Sequence, residues 1–199
     1  MRTRIRTLAL CHLGDFQITK FLSIHSWNVI NHQELSGSAT TVTHSSIAGS
    51  YDHLHGIISA RSDQSAYYSG VMLNFNNDTG SNYSFTDIQA ATSTPSTFQA
   101  SNQTKIGYPP IPAGSALADT FGVTEFWIPN YANTSNYKQI WINSTGTNNS
   151  ITSSQWELKL TAGLWASTAA ISEIDFTING GHDFVQYSSF TLYGINGAA

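Results

Sequence analysis

An antiparallel β-sandwich is the fold the sequence predicts, on three observations. No apolar stripe of helical spacing runs for roughly ten residues or more anywhere in the chain. Apolar and polar residues instead alternate with the period of two that a half-buried strand requires, in short runs separated by turn signals at intervals of roughly 8–12 residues. The third observation is the stretch "FVQYSSFTLYGI" (184–195). There Phe190, Leu192 and Gly194 share one face, and Thr191, Tyr193 and Ile195 share the other. A late strand frays unless it is tied into a sheet, so this one is expected as an internal stave between strands made earlier.

The elements follow in order. Residues 1–25 read as a basic N-terminal arm or an added strand, and 26–199 as the sandwich domain. "ATTVTHSSI" (39–47) is rich in β-branched residues and gives the first regular strand signal. "DHLHGIISAR" sets Leu54, Ile58 and Ala60 opposite His53, His55 and Arg61. "GVMLNFN" alternates Val71, Leu73 and Phe75 against Met72, Asn74 and Asn76. "NNDTGSN" (76–82) is turn chemistry, since Asn, Asp and Gly tolerate positive φ. Residues 91–116 hold four of the five prolines and read as a long connection with one short strand. "FGVTEFWIPNY" is a strand stopped by Pro129. "YKQIWINST", "SQWELKL" and "AISEIDFTI" are three more, the last with Ile174, Phe176 and Ile178 facing away from Glu173, Asp175 and Thr177. The whole is read as an all-β, jelly-roll-like (concanavalin-like) antiparallel sandwich.

Composition narrows the function classes. At 199 residues the chain can bury a core without staples, and Cys11, the only cysteine, can form no internal disulfide. No apolar run approaches the roughly 18 residues of a membrane span, and the basic start with its short apolar stretch does not suit a secretory signal. Only 10% of residues are charged, so hydroxyls and amides cover the surface, as in proteins that pack against one another. The first twenty residues carry a net charge of +3 through Arg2, Arg4, Arg6 and Lys20, against −7 for the rest of a chain whose total is −4. A basic arm on an acidic body suits attachment to an acidic neighbour, whereas the body lacks a basic patch for nucleic acid.

Motifs for chemistry are weak. His53 and His55 share a strand face at metal-ligand spacing, but no third ligand is announced. "NFNNDTGSNY" has oxygen donors spaced somewhat like a calcium loop, without its acidic series or distal Glu; Asx-turns account for it. Asp52, Asp63, Glu125, Glu157, Glu173, Asp175 and Asp183 are scattered, and no nucleophile elbow, zincin helix or phosphate loop occurs. No catalytic residue, metal or cofactor is expected. Trp127, Tyr131, Tyr137 and Trp141, with Trp156 and Trp165, are candidates for an interface or a sugar-stacking platform. Trp141 stands out because Ile140 and Ile142 claim the opposite face.

Five stretches carry a resemblance: "SSIAGSYDHLHGIISARSD", "LNFNNDTGSNYS", "IPNYANTSNYK", "LTAGLWASTAAISEIDFTI" and "HDFVQYSSFTLYGI". Together, in order and over roughly residues 27–196, they resemble a family of tailed-phage virion proteins common among marine and cyanobacterial phages. The resemblance implies a β-sandwich module of a head decoration or tail fibre, a place in the virion after assembly in the host cytoplasm, and no chemistry. Expected partners are other virion proteins and further copies of the chain, in a homotrimer, with no membrane or nucleic acid. The rival expectation is a receptor-recognition module that binds a host surface glycan.

Overall fold

The computed structural model describes residues 27–91, 94–147 and 157–196. They form twelve strands and no helix: β1 (Trp27–Glu34), β2 (Thr41–His44), β3 (His53–Ala60), β4 (Tyr68–Phe75), β5 (Tyr83–Ala90), β6 (Ser96–Gln103), β7 (Ile106–Pro112), β8 (Gly122–Pro129), β9 (Lys138–Thr145), β10 (Leu158–Trp165), β11 (Ile174–Ile178) and β12 (Ser189–Ile195). An eight-stranded sheet runs β1-β12-β3-β8-β9-β10-β5-β6, and a four-stranded sheet runs β2-β11-β4-β7. Every strand pairing is antiparallel. The fold is the all-β sandwich the alternation predicts.

The late strand is an internal stave. β12 lies between β1 and β3, with Tyr193 opposite both Val29 and His55. Phe190 and Leu192 are fully buried, as the period of two requires. Gly194 faces the same way, and a Cβ there would meet the Tyr51 ring at 2.4 Å. Gly56 on β3 is under tighter constraint: its cross-strand partner Phe126 lays its ring over it, and a Cβ would lie 2.0 Å from that ring.

Between the sheets the core is aliphatic and aromatic. Leu54, Ile58, Phe126, Ile128, Ile140, Ile142, Phe190 and Leu192 come from the large sheet; Val42, Val71, Leu73, Phe75, Ile174, Phe176 and Ile178 come from the small one. At one end, Tyr83 and Trp165 stack nearly parallel at 6.3 Å. The loop after β4 is held there by Asp78, which accepts from Trp165 Nε1 at 2.7 Å, from Asn82 Nδ2 and from the Gly80 amide. These bonds, led by that from Trp165, lower the Asp78 carboxyl below its usual value. Asn76 and Asn77 adopt positive φ, so the expected Asx chemistry is what shapes this turn.

Several segments depart from expectation. Residues 91–116 hold two strands, β6 and β7, rather than one. The prolines misled because β7 is an edge strand paired only with β4, where a missing N–H facing away from the ladder costs nothing. β6 is the other sheet's edge and almost wholly exposed, so no face required alternation. β10 spans 158–165 rather than 154–160, running through Ala162 and Gly163. β1 and β5 carried no strand expectation: β1 is an edge, and in β5 the inward position after Phe85 is Asp87. The arm at 1–25 lies outside the described residues.

Two predictions follow from this packing. Deleting residues 188–199 removes β12 and with it the only partner of β1 among the described strands. Phe190 and Leu192 each forfeit about 1.5–3 kcal/mol of burial, so the truncated chain is expected to show no cooperative thermal transition by calorimetry.

His44 supplies the second. It is 1% exposed, packs edge-to-face on Phe176 at 5.6 Å, and neither ring nitrogen has a hydrogen-bond partner among the described residues. Burial, aided by His32, pushes its pKa down to about 4. The unfolded chain takes up a proton near the ordinary histidine value of about 6.5, so stability is lost as pH falls below it. Urea unfolding at pH 4.5 should show a deficit of about 2–3 kcal/mol relative to pH 7.5 from this group. His44→Phe is expected to abolish that component.

Candidate functional site

Parity along the strands decides what the large sheet shows to solvent. Inward Leu54, Phe126, Ile140 and Leu192 leave their neighbours facing out. One continuous register row then crosses all eight strands: Val29, Tyr193, His55, Trp127, Trp141, Ala162, Thr86 and Gln99. Trp27 lies against this row, with its ring 4.6 Å from His55, 5.5 Å from Trp127 and 5.7 Å from Tyr193. Glu125, one row along, ties the cluster: His55 Nε2 lies 2.8 Å from Glu125 Oε1, and Trp127 Nε1 donates to the same oxygen at 3.2 Å. An ionised carboxylate only accepts, so His55 Nε2 carries the hydrogen. The hydrogen bond from His55 is the main cause that lowers the Glu125 carboxyl below its usual value, with Trp127 adding to it and burial opposing.

Beyond Trp141 the face dips into a groove of about 500 Å³, lined by Ser84, Thr86, Gln99, Ser101, Gln139 and Ala162, with Leu164 beside them. Ala162 is why it dips. It stands in register between Trp141 and Thr86 and offers only a methyl group. Gln139 and Ser84 flank Leu164 in the next row.

The two outer faces of the sandwich differ in kind. Trp27, Val29, Ile57, Ile88, Val123, Trp141, Leu158 and Leu160 are all exposed on the large sheet. On the small sheet, outward Thr43 and Asn74 instead donate to Asp175, at 2.5 and 3.3 Å, and Lys105 Nζ donates to Thr177 at 2.8 Å. The remaining described cations are equally committed. The Arg61 guanidinium donates to the carbonyls of Gly114, Ala116, Leu117 and Thr120. Lys138 is buried and donates to the carbonyls of Asn136 and Thr168. Lys159 is buried between Glu157 at 3.3 Å and Asp87 at 3.7 Å. Burial pushes both of those carboxyls up, and Lys159 partly opposes it.

Among the sequence-predicted site residues, Trp127 and Trp141 are cross-strand partners on the outer face, and Trp141 is 44% exposed. Tyr137 is exposed at the start of β9. Tyr131 is not a surface residue: it is fully buried, and its hydroxyl donates to the Ala48 carbonyl. The turn after Pro129 folds its side chain into the core, a reversal that strand parity could not reveal. Trp165 is core. Arg2, Arg4, Arg6, Lys20, Cys11 and Trp156 lie outside the described residues. His53 Nδ1 accepts from the Asn130 amide at 3.2 Å, while His55 engages Glu125, so the two imidazoles make separate bonds. No group of three potential metal ligands occurs among the described residues. The Asp87–Lys159–Glu157 cluster escaped the sequence reading, although the alternation that places Phe85 inward also places Asp87 inward.

No protein-family model matches the chain, and neither a curated protein nor a solved structure does.

The Glu125 linkage generates a prediction. With its folded pKa lowered, the carboxylate supports the cluster at and above the ordinary Glu value, and that support is lost as pH falls through the lowered pKa. The Trp127 indole N–H resonance should titrate with a midpoint below the ordinary Glu value of about 4.3. In Glu125→Gln that titration should vanish.

Proposed function

We propose that this chain is a non-enzymatic structural protein of a tailed-phage particle, a jelly-roll-like module that decorates the capsid or belongs to a tail fibre. The observation that carries the reading is the contrast between the two outer faces. Eight large apolar side chains are exposed on the outer face of the eight-stranded sheet, against Tyr68 alone among the described residues of the four-stranded sheet. Exposed apolar surface concentrated on one face marks a contact site, with Trp27 and Trp141 as its natural anchors. The virion setting is drawn from the five ordered stretches of resemblance. The absence of chemistry is drawn from the carboxylates: the two that converge, Asp87 and Glu157, are bridged by a buried lysine.

The partners are other virion proteins and further copies of the chain, a homotrimer being the symmetric arrangement that suits repeated use on a particle. Arg2, Arg4, Arg6 and Lys20 serve attachment to an acidic neighbour. A second reading, recognition of a host surface glycan by a tail fibre, draws on the uncharged groove beside Trp141.

The apolar row Ile88–Leu160, in register across β5 and β10, is the place to test self-association. Ile88→Lys with Leu160→Lys should leave the thermal transition in place, since both side chains point to solvent. Sedimentation velocity should show the wild type as a homo-oligomer and the double variant as a monomer. Antibody against the purified chain should label intact particles; unlabelled particles and a monomeric wild type would count against the reading.

A further inference from the structure

Three candidate places stand out among the described residues. In the Glu157–Lys159 cleft the charges are paired with one another, and the Trp27–His55–Trp127–Glu125 cluster is filled by its own rings. The groove beside Trp141 is open, and its lining is selective.

We infer that this groove binds a neutral oligosaccharide, stacked on the Trp141 indole and held by the side-chain amides of Gln99 and Gln139. The inference rests on the second reading above and gives it a location and a ligand class.

Chemistry narrows the occupant. The lining joins apolar surface (Phe85, Ala100, Ala162, Leu164) to hydroxyls (Ser84, Thr86, Ser101) and two amides, with no charged side chain. A phosphate or nucleic acid would require cations, and the four described Lys and Arg side chains outside the core triad and within it are all engaged elsewhere. A quaternary ammonium would require a cage of aromatic rings; the groove is lined by one aromatic residue, Phe85, and the Trp141 indole stands in register beside Ala162. A purely apolar ligand would leave the amides unpaired, at a desolvation cost. A pyranose fits all of these surfaces. Its C–H face packs on an aromatic ring, and its hydroxyls both donate to and accept from amides and hydroxyls.

Geometry sets the length. From Trp141 on β9 to Gln99 on β6 the row crosses three strand spacings, about 14 Å. That favours a short chain of sugars over a single ring. Trp141 is held in place for stacking, because Ile140 and Ile142 are locked in the core on either side.

The test is the full chain on an array of neutral and acidic oligosaccharides, with hits measured by calorimetric titration. Binding to a neutral oligosaccharide is expected, weakened about tenfold or more by Trp141→Ala, the loss expected of one stacked aromatic face. Ala162→Arg, which fills the dip from a solvent-facing position, should abolish it. Both variants should keep the wild-type thermal transition. Neutral-sugar binding that survives both Trp141→Ala and Ala162→Arg overturns the groove while sparing glycan recognition. Binding confined to acidic sugars overturns the ligand class, and no binding across the array overturns both.

Discussion

Three phenylalanines hold the two sheets together. Phe126 and Phe190 project from the large sheet, and Phe176 from the small one reaches between them, with ring centroids 5.9 and 5.4 Å away. Phe184 extends the chain, edge-on to Phe190 at 5.0 Å. The rest is arranged around this contact. Gly56 must lack a side chain because Phe126 lies across it. β12 must sit inside the sheet because Phe190 is one of the three. Once these inward positions are set, parity alone sends Trp127, Trp141 and Tyr193 outward.

What the sequence made legible was whatever a period of two controls. Leu54, Ile58, Val71, Leu73, Phe75, Phe176, Leu192 and the exposure of Trp141 all follow from strand parity. Where alternation is absent or broken, the reading failed for identifiable reasons. β6 borders solvent, so nothing obliged its residues to alternate. β7 tolerates Pro109, Pro110 and Pro112 only because it is an edge, and edge status belongs to the sheet rather than to the segment. Asp87 and Lys159 violate the apolar rule at inward positions, and each is accommodated by the other across β5 and β10, a pairing no local pattern announces. Tyr131 lies past the end of a strand, where parity no longer applies. The groove was half legible: Trp141 could be picked out, but the amides around it come from β6 and β9, brought near one another only by sheet order.

The outer face of the large sheet carries two kinds of surface on one scaffold. Toward Leu158, Leu160, Ile88 and Val123 it is apolar and suited to burial against another protein. Toward Gln99, Ser84 and Gln139 it is amide- and hydroxyl-rich and suited to something that keeps its hydrogen bonds. Both rest on an inner face packed by the same strands, so either surface can change without disturbing the core.

The position of β12 also bears on how the molecule is made. His32 and Thr191, joined by a side-chain hydrogen bond, are 159 residues apart in sequence, and among the described strands β1 meets the sheet through β12 alone. During synthesis β1 therefore waits, unpaired, until nearly every other strand has left the ribosome. Closing so long a loop makes folding slow, and an unpaired strand edge is exposed to aggregation meanwhile. The cluster of Trp27 against His55 and Trp127 is therefore completed last, when β12 carries β1 onto the sheet.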